Sequence, residues 1–131
     1  MSKAKVISFA EEFAKLKFVG DRTPESTDEQ LDGAFAELVP FRDGGLFIGH
    51  YAGNSEWERH PQGDEIVHVL EGETTLVLLT EDGEQRNLLQ ARELLVVPQN
   101  TWHRFETPNG VKIMTATPQP TEHRVSHPHA E

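Results

Sequence analysis

The chain has 131 residues, a formal net charge of -10 and no cysteine. That length suits one ordinary domain with a real hydrophobic core, and the acidic balance, with no Lys/Arg cluster to offset it, excludes nucleic acid as an expected partner. Without cysteine there are no disulfides, thiolate metal sites or cysteine nucleophiles, so any chemistry must rest on His, Asp, Glu, hydroxyls or a bound ion.

The opening, MSKAKVI, lacks the apolar core of a secretory signal, and no apolar run approaches the length of a membrane span. A cytoplasmic protein without a membrane partner is expected. Ser8 followed by Glu11 has the form of a capping box, and Phe9, Phe13 and Leu16 share one helical face, which predicts a short N-terminal helix. Gly20 to Gly33, GDRTPESTDEQLDG, is polar and without an apolar period, and reads as a loop or lid. After Ala34 come short apolar or alternating runs, AFAELVPF, GLFIGHYAG, EIVHVLEG, TTLVLLT, RNLLQ, ELLVVP and VKIMTAT, each bounded by Gly, Pro, Asn or Asp. They predict about seven or eight strands. Asp82-Gly83 between two such runs signals a hairpin, and Gly72 and Gly83 suit turns that need positive φ. Strands with turns and no helices between them indicate an all-β antiparallel sandwich or barrel. The chain thus divides into an N-terminal extension over 1–33, a β domain over 34–118, and a polar, proline-broken tail over 119–131 that is an extended strand or loose.

The stretch EWERHPQGDEIVHVLEGE concentrates His60 with Glu56, Glu58, Asp64 and Glu65 just before an alternating run. Alternation places Glu58 and His60 on one face of a strand. It also places Glu65, Val67 and Val69 on one face, with Ile66, His68 and Leu70 on the other. The turn-forming PQGD, Pro61 to Asp64, would fold the Glu65 strand back beside the Glu58/His60 strand. A further candidate, His103, follows the apolar run that ends at Pro98. These four residues, Glu58, His60, Glu65 and His103, are the candidate metal ligands. His68 and the tail histidines His123, His127 and His129 read as structural or solvated, and His50 is undecided in facing. Trp57 and Trp102 should face away from the ligands, and Phe47, Tyr51, Phe105, Val67, Val69 and Met114 are candidates for an apolar cavity wall.

This constellation resembles the cupin superfamily. Gly53, Glu58-x-His60, Glu65 and Gly72 follow the markers of the family's first motif, with Glu58 where a histidine stands and Gly53 one residue out of step. Pro98, Asn100 and His103 keep the spacing of the second motif, with Arg92 and Asn100 at its glycine positions and Thr107 at its final asparagine. The resemblance implies a double-stranded β-helix, or jelly-roll barrel, with a divalent metal near its mouth. It implies His60, Glu65 and His103 as ligands and Glu58 as a ligand or a catalytic general base. Two imidazoles and one carboxylate with open positions suit Fe(II) or Mn(II), with Zn or Ni also compatible. A small organic substrate or ligand and a homodimer, with Ile66, Leu70 and Trp57 on its apolar outer face, are the implied partners. Three functions remain open: a metal-dependent enzyme, oxygenase before isomerase or lyase; a non-catalytic binding module; or a degenerate cupin with an empty barrel.

Overall fold

A computed structural model describes residues 4–129; the first three residues and the last two of the tail lie outside it. One short helix, α1 (Phe9–Ala14), precedes nine strands: β1 (Val19–Arg22), β2 (Phe35–Phe41), β3 (Gly44–Asn54), β4 (Trp57–Arg59), β5 (Glu65–Thr80), β6 (Gly83–Gln90), β7 (Leu94–Val97), β8 (His103–Pro118) and β9 (Glu122–Arg124). Ser8 caps α1, its hydroxyl accepting from the Glu11 amide at 3.2 Å, as the capping box predicts.

The expected polar loop over 20–33 begins instead as strand, because Gly20 to Arg22 continue β1 alongside β3 in parallel. The physical opening for this is Gly53. A Cβ there would stand 2.1 Å from the Arg22 carbonyl oxygen, and its φ of +112° is left to glycine.

The organising strand is β8, which pairs with β3, β4 and β5. EIVHVLEG and TTLVLLT, two separate runs in the sequence, are one strand, β5, with register shifts against β8 between Val69 and Glu71 and between Gly72 and Thr75. Gly72, at φ +79°, sits between the two shifts. The first shift sets one extra residue of β5 against β8 and so changes parity: Glu65, Val67 and Val69 face inward before it, and Leu76 and Leu78 after it. Both halves therefore feed one core with Tyr51, Leu89, Val97, Phe105, Val111 and Ile113. The architecture is the jelly-roll type expected, antiparallel except for the β1–β3 pair, although its hydrogen-bonded order does not close into a ring.

A smaller cluster forms outside β5, where Trp57 packs on Val77 and Leu79 with Trp102 against it. Trp57 does face away from the candidate ligands, but at 2% exposure it belongs to no outer surface. The exposed apolar face consists of Ile66 with its partner Val96, and of nearby Leu94. The tail enters the sheet through β9, which pairs with β4.

Candidate metal centre and its cavity

Three of the four candidate ligands stand where a strand meets a turn, and Glu58 lies within β4. His60 directly follows β4, Glu65 opens β5 and His103 opens β8. The turn over 61–64 and the turn after β7 are tied together. The Asn100 amide donates to the His60 carbonyl at 3.0 Å, the Gln99 amide to Asp64 Oδ1 at 2.7 Å, and Gln99 Nε2 to the Pro61 carbonyl at 2.7 Å. Together with the β4–β8 and β5–β7 pairings, these bonds bring the two motifs together. The expected pairing of the Glu58/His60 strand with the Glu65 strand does not form, because β7 and β8 occupy both edges of β5 there. β4 pairs instead with β8, placing Glu58 opposite His103.

His60, Glu65 and His103 converge, with their ligand atoms within 4.8 Å of one another and all three side chains buried. Glu65 Oε1 lies 3.3 Å from His60 Nε2 and 3.2 Å from His103 Nε2, yet none of these three buried atoms has a hydrogen-bond partner. Buried polar atoms are normally satisfied, so three orphaned lone-pair carriers aimed at one point fit a cation.

The other atom of each group is engaged. His103 Nδ1 lies 2.9 Å from the Thr101 carbonyl, which can only accept; the ring proton is therefore on Nδ1 and the Nε2 lone pair is free. His60 Nδ1 meets the Thr121 hydroxyl at 3.0 Å, compatible with the same tautomer. The Thr117 hydroxyl donates to Glu65 Oε2 at 2.6 Å, and Thr115 backs Thr117 at 2.7 Å. Outer bonds of this kind hold ligating rings and carboxylates in place. Electrostatically, burial drives the Glu65 carboxyl up, but the two imidazoles prevail and hold it at about 2. Burial drives His103 down, and Glu65 prevails to leave it above its ordinary value.

Beside the triad lies a cavity of about 280 Å³. Phe47, Tyr51 and Phe105 line it as expected, joined by Phe35, Ile48 and Ile113. Val67 and Val69 lie in the core. Met114 is a correction: it shares the half-buried outer face of β8 with Lys112 and Ala116, while Ile113, Thr115 and Thr117 face inward. Glu58 is half-buried and lines the cavity, outside the converging three. His68 stays on the outer side, and His50 lies outside the cavity against Phe18, with ring centroids 4.8 Å apart.

Sequence reasoning missed the tail's contribution. Gln119, Thr121 and His123 line the cavity, and His123 Nδ1 pairs with Glu56 at 2.8 Å. Arg22, Asp28 and Leu31 also reach it from the N-terminal extension. The polarity of both segments read as loop, and nothing local pointed to either contact.

The family model of the cupin domain matches residues 50–117, just over half of the chain. The chain belongs to the cupin family. Among curated proteins it is similar to the uncharacterized protein YdbB of Bacillus subtilis (strain 168), 36% identical over 59 residues. That match covers 45% of this cupin and 46% of the relative, so it spans just under half of the relative's length. Among solved structures, a cupin-2 domain containing protein from Shewanella frigidimarina superposes with a TM-score of 0.62 at 24% identity, over 91% of this chain and 95% of that one. Hydroquinone 1,2-dioxygenase from Sphingomonas sp. TTNP3, solved with 4-hydroxybenzoate bound, gives 0.57 at 16% identity, over 70% of this chain and 67% of that one.

Proposed function

We propose that this cupin is a metal-dependent enzyme of oxygenase type acting on a small organic substrate. The observation that carries the reading is the set of three orphaned donor atoms, His60 Nε2, Glu65 Oε1 and His103 Nε2, buried beside an apolar cavity. Two imidazoles and a carboxylate would hold Fe(II) or Mn(II), which when bound supplies Lewis acidity and, for iron, one-electron chemistry toward O2.

The chain's own groups then have distinct tasks. Thr117, Thr101 and Thr121 keep the three ligating atoms aimed inward. The aromatic walls exclude water from the substrate. Glu58, on the cavity surface and outside the triad, holds or takes a proton of the substrate as general base. The fold shared with hydroquinone 1,2-dioxygenase supports starting the substrate panel with hydroquinones and related diols.

The test is metal analysis of protein purified without a histidine tag, followed by oxygen uptake with that panel. Substoichiometric metal that neither Fe(II) nor Mn(II) restores would sink the metal site. Full metal with no uptake across the panel would favour a binding module. Glu58→Gln should retain metal and lose turnover by about 100-fold or more; lost metal would make Glu58 a ligand instead.

A further inference from the structure

The cavity contains a second set of polar groups that the metal chemistry does not use. Arg22, half-buried at the end of β1, supplies the one guanidinium among the lining residues. It makes no ion pair among the described residues and is held by aromatic faces instead. Its guanidinium carbon lies 4.6 Å from the Tyr51 ring centroid and 5.0 Å from that of Phe35. Stacking of this kind fixes the plane of the fork and leaves its N–H edge available. Beside it, Tyr51 is fully buried, and its hydroxyl lies close to Thr107 and Arg22 without forming a hydrogen bond of ordinary geometry to either. A buried, unsatisfied hydroxyl on a cavity wall is a site prepared for a ligand atom.

The position is built deliberately by the backbone. Arg22 pairs with Gly53, and only a glycine there lets β1 approach closely enough to bring Arg22 to the wall.

Charge decides what the ligand is. Glu56 is paired with His123, and Asp28 is exposed to solvent. Glu65 is held by the triad imidazoles and Glu58 stands opposite His103, so the Arg22 guanidinium, present with or without a metal ion, is the positive charge left for a ligand. A planar monoanion balances it. The volume, about 280 Å³, lies at the small end of ligand pockets and suits a single ring, and Phe35, Phe47 and Phe105 offer faces for it.

We propose that Arg22 and Tyr51 form a recognition subsite for a carboxylate, and that the ligand of this cupin is a small aromatic monocarboxylate. This names the substrate class for the function proposed above and rests on the same cavity being the substrate site. Arg22 donates its N–H edge to the carboxylate and the Tyr51 hydroxyl donates to one of its oxygens, while the ring lies against the phenylalanines.

Titration calorimetry with benzoate and its neutral isostere benzamide tests this on the full chain, both metal-free and Mn(II)-loaded. Benzoate should bind at least about tenfold more tightly than benzamide in both states. Arg22→Gln should abolish that preference by weakening benzoate alone, benzamide binding serving as the check that the cavity is intact. Tyr51→Phe should weaken benzoate by a smaller factor, about three- to tenfold. Equal affinity for the two probes, no binding of either, or a preference that survives Arg22→Gln overturns the subsite. A preference present in a chain that takes up no metal retains the subsite and removes the metal enzyme. A metal-loaded, oxygen-consuming chain with no preference does the reverse.

Discussion

Arg92 and Asn100 adopt left-handed backbone, with φ of 75° and 62°. Both stand where the cupin motif carries glycine, so the turns keep the glycine conformation although the side chains have changed. An L-residue in this region is strained by about 1–2 kcal/mol, and asparagine suffers least. Arg92→Gly should therefore stabilise the protein by up to about 1 kcal/mol, because relief of strain exceeds the added entropy of the unfolded chain. Asn100→Gly should be close to neutral by the same reasoning. Chemical denaturation of the two variants checks this, and a loss of stability in Arg92→Gly would contradict it. Glu58 shows the limit of residue-level reading: its alternation with His60 was legible, but its place on the cavity wall came from pairing with His103.

At the level of elements, β5 shows how one extra residue governs the facing of a whole strand. Alternation alone places Val67 and Val69 inside, but continued past Val69 it would turn Leu76 and Leu78 to the wrong face; the extra residue between Val69 and Glu71 restores them. Gly72 was legible as a turn residue, and a turn and a bulge both need positive φ, so the sequence did not separate them. Alanine at 72 would carry a Cβ 2.4 Å from the Gly110 carbonyl oxygen, on a backbone that L-residues avoid. Gly72→Ala should cost more than about 1 kcal/mol. Gly83→Ala, with nothing within 4 Å of its Cβ, bears only the conformational part and should cost less. Thermal melts of the pair that show equal losses would remove the steric argument.

For the molecule as a whole, the triad links stability to pH. In the metal-free chain Glu65, held at about 2 against an ordinary 4.5, contributes stability that is complete above 4.5 and lost as pH falls toward about 2. His103, raised above an ordinary 6.5, contributes stability that is complete below 6.5 and lost as pH rises through its folded value. Its contribution should therefore be greatest between about pH 4.5 and 6.5, and Glu65→Gln should flatten the profile of denaturation midpoints. Metal loading should move the maximum upward, because ion and proton compete for the same Nε2 atoms. A metal-free profile unchanged by Glu65→Gln would refute the linkage. The same scale separates what was written in the sequence from what folding decided. The sequence by itself determined the all-β class, the short capped helix, the inward set Glu65, Val67 and Val69, and the candidate ligand set His60, Glu65 and His103, because strand alternation and fixed spacing are local properties. Only the tertiary structure brought Arg22 beside Tyr51 and Thr121 to His60, the latter across 61 residues. Those contacts depend on which strand edges remain free after β5 and β8 have paired, and no local pattern in a polar segment encodes its distant partner.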